Sequence, residues 1–392
     1  MISGKRGDTS RIRLGVDARL LSASDARGMQ RVAKNLVREL AERHASDIDV
    51  VLYSNRPFLY TPAGSLARVL PGSDLGYCVR RLPQAVRADG CDVFLGTGAA
   101  TLVRSCPSAH IVHDVCQRGF GARVPLSLKL SHQYMLSQFG TAIRLCAAKR
   151  VDAVIFGSGS ARRDVLGVPR GGRDGRHIVI YWGVEVGMTQ VPTKAAVKCA
   201  LSSLHVDHPF LLYVGAVSRR KNIEGLVAMY QHVRRAHGSI RLVVVGDRAW
   251  PGYDCDPFDG IEGIAWFRWL PDELLVALYR ACEAFVTLSW CEGFGLPVAE
   301  AMFQGAPVVV SDGGALAEVA GEAGLLVDPN DPVGAGEAVL GLVCDDEARA
   351  LQRQKSLARA PMFAWSNAGD RLACLVRDLA GTATPRRGGA RV

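Results

Sequence analysis

Trp290 to Gly321 reads WCEGFGLPVAEAMFQGAPVVVSDGGALAEVAG. An apolar, strand-like run, AFVTLS (284–289), leads into it, and Glu292-Gly293-Phe294-Gly295-Leu296 makes a glycine-containing loop. Pro297 then opens a helix, at a position where a missing N–H leaves no hydrogen bond unmade. Loop and first-turn N–H groups in such a turn point at whatever sits above the helix, and they favour a phosphate. Glu292 stands at the mouth of the loop and Glu300 lies within the helix, eight positions on. Carboxylates so placed can accept hydrogen bonds from sugar and ribose hydroxyls, as acidic residues do in other nucleotide sites. The spacing alone is common and also describes a plain strand–turn–helix with two solvated glutamates. The intervening Gly-Phe-Gly-Leu-Pro and the following Glu-Ala-Met shift the weight to a ligand site.

Working outward, the same alternation of strand and helix recurs on both sides. After the loop come APVVVSD (306–312) and GLLVDP (324–329); before it come PFLLYVGAV (209–217), IRLVVVGD (240–247) and GIAWFRWL (263–270). Helix-like stretches separate them at 223–237, 271–281, 297–304 and 314–320, and residues 332–379 read as helical. The first half repeats the pattern. RIRLGVDARLL is followed by a helix-like 30–43, then by strand candidates at 49–54, 91–97, 109–115 and 151–158, and HIVIYWGVEVGM closes the unit. Alternation of this kind predicts mostly parallel sheets with helices on both faces. With 392 residues the chain has material for two such domains. The expected architecture is therefore α/β, two doubly wound Rossmann-like domains facing a central cleft at the carboxyl ends of their strands. A polar stretch at 188–208 suits the linker.

Composition excludes several classes. The first twenty residues contain no apolar core of a secretory signal, and no apolar run reaches the roughly 18 residues needed to cross a bilayer. A cytoplasmic protein is expected, with peripheral attachment to the inner face of the membrane as an option. Eleven cysteines stand singly, without a Cys-x-x-Cys pair, which suits reduced thiols and predicts no metal site. The formal charge is +9, and it is uneven: residues 1–190 hold 27 Lys and Arg against 15 Asp and Glu, the remainder 20 against 23. The basic residues are dispersed and carry no nucleic-acid signature. An anionic membrane surface or an acidic substrate fits them, as does simple solubility.

The Trp290–Gly321 segment resembles the nucleotide-sugar-binding signature of family 4 glycosyltransferases, retaining enzymes of the GT-B fold. YVGAVSRRKNIEGL (213–226) resembles that family's glycine loop with its Arg-Lys-Asn, and VHDV (112–115) its His-Asp strand end. VDARLL with GMQR (28–31) resembles the acceptor loop, and IYWGVE (180–185) the hinge motif. The resemblance implies an acceptor domain over 1–188 and a donor domain over 189–365. It further implies a last helix, 366–380, that crosses back to the first domain, and a disordered tail over 381–392. Arg220 and Lys221 would neutralise the departing diphosphate, electrostatic stabilisation of charge that develops in the transition state. Glu292 would contact the donor sugar. Gly215 and the backbone of Phe294, Gly295 and Leu296 would meet sugar and phosphate, Glu300 the ribose, and His113 would line the sugar pocket. No cofactor and no metal are expected beyond the donor itself, GDP-mannose first and a UDP-hexose second. The acceptor implied is lipid-linked or a saccharide, in surface polysaccharide or lipopolysaccharide synthesis, by likeness to bacterial mannosyltransferases. Two alternatives share the scaffold: a nucleotide-sugar epimerase and a non-catalytic nucleotide-sugar-binding protein.

Other signals carry less. Asp254-Cys255-Asp256 and Asp47-Ile48-Asp49 match a metal-binding Asp-x-Asp, but neither ends an apolar strand beside a second acid. Gly96-Thr97-Gly98-Ala99-Ala100-Thr101 falls short of a dinucleotide fingerprint and reads as a turn. The stretch 124–150, with Lys129, Arg144 and Arg150 among apolar residues, reads as a helix packed on its sheet or, alternatively, lying on a membrane.

Overall fold

Val16, near the end of the first strand, lies opposite Leu52 on one side and Leu95 on the other, and all three are buried. In this computed structural model, residues 11–22, 28–98, 103–113, 151–166, 177–206, 209–249 and 256–382 are described. The first sheet contains β1 (Ile12–Asp17), β2 (Ile48–Ser54), β3 (Leu66–Val69), β4 (Val93–Gly96), β5 (Ser108–Val112), β6 (Ala153–Phe156) and β7 (His177–Val179). The second contains β8 (Phe210–Val214), β9 (Arg241–Val245), β10 (Ile264–Phe267), β11 (Ala284–Thr287), β12 (Val308–Ser311) and β13 (Gly324–Val327). Every described strand pairing is parallel, in the orders β3-β2-β1-β4-β5-β6-β7 and β10-β9-β8-β11-β12-β13. This is the two-domain GT-B architecture. In each sheet the order reverses between a first strand and a fourth, β1 with β4 and β8 with β11, and ligands of open α/β sheets bind outside such a reversal.

Strands covered on both faces read as unbroken apolar runs. In β8, Phe210 and Leu212 enter one core while Leu211 and Tyr213 enter the other. The larger core passes from the first sheet through Ile180, Trp182 and Val184 to Phe294 and Phe363, so the two domains share apolar packing. β3 differs: all four of its residues are exposed, and it is held to β2 by backbone pairing at the sheet edge. It has no apolar signal because it has no core to face.

The stretch read as one helical region over 332–379 is three helices, Pro332–Val343, Asp346–Arg359 and Trp365–Thr382. Asp345 stops the first and starts the second, its carboxylate accepting the N–H groups of Glu347 and Ala348 at 2.9 Å. The last helix lies on the first domain. Arg377 pairs with Asp47 at 2.7 Å, Asp370 with Arg43 at 3.3 Å, and a Cβ on Gly369 would meet that of Glu39 at 2.6 Å.

Some expectations fall on residues outside this description: Lys129, Arg144 and Arg150, Asp254, Ala99 to Thr101, and the tail from 383. Asp47 and Asp49 bind Arg377 and Arg11. Cys291 is disulfide-bonded, which corrects the expectation of reduced thiols at that position.

Candidate active site

The turns that follow β8 and β11 meet at the reversal of the second sheet. β8 is followed by Gly215, with φ near +153°, and β9 by Gly246, with φ near +149°. The two backbones approach so closely that a Cβ on Gly246 would stand 1.9 Å from the Gly215 carbonyl oxygen. Any side chain there would push the loop off the strand ends. Past Gly215 a tight 3-10 turn, Arg219–Lys221, presents consecutive cations. Asn222 closes it in the left-handed region and caps the next helix, accepting the Gly225 N–H at 3.2 Å. The Trp290 N–H reaches back to the Arg220 carbonyl at 3.3 Å, tying this turn to the loop after β11.

Glu292 sits between the cations. Lys221 Nζ is ion-paired to Oε1, and an Arg220 guanidinium nitrogen lies 3.3 Å from Oε2 and 2.6 Å from the Cys291 carbonyl. The Glu292 side chain is 9% exposed, and burial by itself would push its pKa up. The charges of Lys221 and Arg220, with hydrogen bonds from Lys221 and Ser289, win and hold it down at about 2. The group is thus an anion throughout the physiological range. Both cations meet this one carboxylate at the strand ends.

Gly295, with φ near +98°, turns the chain into the helix Leu296–Phe303, with Pro297 in its first turn. A Cβ at Gly295 would stand 2.7 Å from Leu316, so the loop needs glycine on two counts. The Phe294 ring is 4% exposed, with ring centroids 6.1 Å from Tyr181, 6.5 Å from Trp182 and 5.7 Å from Phe363. That ring is a wedge in the hinge, which leaves its backbone as the part that can face a ligand. His113, at the end of β5, comes 2.7 Å from the Thr97 carbonyl and packs 6.1 Å from Trp182. One indole therefore lies between His113 and Phe294.

Glu300 faces a different set of partners. It is 6% exposed, accepts the Tyr279 hydroxyl at 3.0 Å, and is met at 3.5 Å by Arg31 from the first domain. Arg31 also holds Asp272 at 2.8 Å. Further contacts cross between the domains nearby. Ser158 donates to the Gly293 carbonyl at 2.9 Å. Glu318 accepts the N–H groups of Gly159 and Ser160 at 2.7 Å each and the Tyr181 hydroxyl at 2.9 Å. The second domain thereby caps the amino terminus of a first-domain helix, Gly159–Leu166.

So Arg220, Lys221 and Glu292 are in direct contact, His113 approaches Phe294 through Trp182, and Glu300 is bound to Arg31 and Tyr279. Arg31, Ser158 and Glu318 were missed from sequence. Arg31 closes the GMQR stretch and Glu318 stands inside the decisive segment, but no spacing rule links either to its partner in the other domain.

Residues 208–345 match the family described as Glycosyl transferases group 1. Over 165 residues the chain is 39% identical to the O-antigen chain mannosyltransferase B of Escherichia coli, covering 40% of this chain and 43% of that one, less than half of the relative's length. It is 26% identical over 396 residues to a D-inositol 3-phosphate glycosyltransferase of Corynebacterium diphtheriae, 91% of each chain. Among solved structures it resembles Anabaena HepE, solved in complex with UDP and glucose, with a TM-score of 0.70 at 17% identity over 94% of this chain and 99% of that one. At that identity the likeness speaks for the fold.

Proposed function

We propose, from the premise that this chain is a glycosyltransferase whose second domain belongs to the group 1 family, that it moves a hexose from a nucleoside diphosphate donor with retention and without a metal ion. The observation that carries this is the contact of Arg220, Lys221 and Glu292 at the β8/β11 reversal. A buried ion pair loses stability when one partner leaves alone. A donor exchanges both partners at once: its diphosphate takes the cations, and a sugar hydroxyl takes the carboxylate. As the glycosidic bond breaks, charge grows on the leaving phosphate beside Lys221 and Arg220. The acceptor hydroxyl attacks the same face of the sugar, and its proton goes to a phosphate oxygen. GDP-mannose is the preferred donor, on likeness to the mannosyltransferase, and a UDP-hexose is second. The acceptor is lipid-linked or a saccharide of a surface polysaccharide.

Thermal shift against GDP-mannose and UDP-hexoses tests the donor, since about a 100-fold excess over Kd adds roughly 2.7 kcal/mol. Transfer to a lipid-linked or saccharide acceptor is then followed with and without EDTA. The expected outcome is a shift with one donor and EDTA-resistant release of nucleoside diphosphate that requires acceptor. Complete loss on chelation, restored by manganese or magnesium, would sink the metal-free mechanism.

A membrane-bound acceptor calls for a membrane-facing surface, and the first domain supports one. No described helix is long and apolar enough to cross a membrane. The β3 edge and the segments on either side of it expose Leu59, Leu66, Val69, Leu75 and Val79, with Arg56, Arg68, Arg80, Arg81 and Arg87 exposed around them. Each arginine near an anionic leaflet contributes about 1 kcal/mol, within a Debye length. Co-sedimentation with anionic vesicles is expected at low salt and release at high salt, and Arg80→Glu with Arg81→Glu should cut binding about tenfold or more. Equal binding to neutral vesicles, or none to either, would make the charge a solubility feature.

A further inference from the structure

Glu300 stands in a place where its own domain gives a carboxylate charge little support. Its carboxylate is buried, and burial pushes its pKa up. The groups facing it from the second domain and the hinge are Tyr279, whose hydroxyl burial keeps neutral, and the acids Asp272 and Glu185. Positive charge comes from Arg31, on the first-domain helix Gly28–Arg38, 3.5 Å from Oε1, while Tyr279 donates to Oε2. Arg31 is itself fixed by its 2.8 Å pair with Asp272, at the start of the helix Asp272–Ala281. A buried carboxylate stripped of its countercharge goes neutral and turns to whatever acceptor it can find.

We propose that Arg31 is a positioning residue for the donor, supplying from the other domain the countercharge that holds the Glu300 carboxylate in place for the ribose hydroxyls. The ribose site is then complete only when the two domains are together, and donor binding and domain closure favour each other by linkage. The same helix begins at Gly28, where a Cβ would stand 3.6 Å from Leu296 of the phosphate loop, so the donor is sensed along one edge of the acceptor domain. This inference rests on Glu300 being the ribose residue, and its test separates the two.

The test is calorimetric binding of GDP and UDP to the full chain, with the tighter base then compared with its 2′,3′-dideoxy analogue. A hydrogen-bonded diol on a charged group is worth about tenfold or more in affinity, so wild type should prefer the ribose form by at least that factor. Arg31→Gln should reduce this preference to about twofold. Arg31→Met keeps the aliphatic stem, removes the charge and should do the same, which covers a Gln variant that melts too low to read. Glu300→Gln should also lose the preference, and adding Arg31→Gln to it should cost nothing more. A general loss of stability would weaken both nucleotides alike. A folded Arg31 variant that keeps the wild-type preference overturns the proposal. Wild type that binds both forms equally, or neither, removes the reading of Glu300 instead, and this inference with it.

Discussion

Lys221→Ala is expected to lower kcat by about 10²–10³ while the donor KM changes far less. Lys221 is the cation ion-paired with Glu292, at the strand ends where a leaving diphosphate would gather charge. Ground-state phosphate is already negative, and Arg220 remains to hold it, 3.3 Å from Glu292. The interaction that grows along the reaction is the one removed, and such a loss falls on kcat rather than on binding. Lys221→Arg should recover part of the rate, because charge is restored with a different reach. Initial-rate kinetics over donor concentration decide the matter. A kcat within tenfold of wild type, or a loss confined to KM, would take Lys221 out of the role.

Glu292→Gln is expected to reduce kcat/KM by about 10–100-fold, the worth of a hydrogen bond between a charged group and a sugar hydroxyl. It should also remove the negative charge that Arg220 and Lys221 both contact. The native carboxylate has its pKa held at about 2, burial raising it and the two cations lowering it further. A depressed pKa means stability that is present above the ordinary carboxylate value and lost as pH falls through the native one. The difference in Tm between wild type and Glu292→Gln should therefore be full at neutral pH, shrink below about pH 4.5 and fade toward pH 2. A difference independent of pH would mean that the carboxylate is not stabilised by its neighbours' charge.

The strands covered on both sides could be read from sequence because burial forces continuous apolar runs, as in FLLYV of β8 and VVVS of β12. β3 could not, since LARV is exposed along its whole length and holds its place by backbone pairing. The turn from Tyr77 to Arg81 and the helix Leu82–Ala88 were also unread, being short and basic on their outer side. At the site, Glu292 and Gly295 stood out because they lie in a glycine-containing loop that follows a strand, whereas Arg220 and Lys221 stood out only through the family resemblance. The cross-domain supports did not. Ser158 and Gly293 lie 135 positions apart, and Arg31 and Asp272 lie 241 apart. Tertiary closure alone brings them together.

The carboxylate of Glu318 has a consequence for anyone who would recombine this protein. It sits on one half of the molecule and completes the amide groups of Gly159 and Ser160 on the other. A capping side chain of this kind is worth about 1 kcal/mol to the helix it closes, and here the helix and its cap lie on opposite sides of any cut made in the linker. A chimera built with a foreign carboxy-terminal half inherits whatever that half carries at position 318. With an apolar residue there, the graft would leave two amides facing nothing, and the halves would seat poorly against each other even if each folded well. The exchangeable unit is therefore not the domain as the chain order draws it, but the domain together with the acid that its neighbour lends to the helix starting at Gly159.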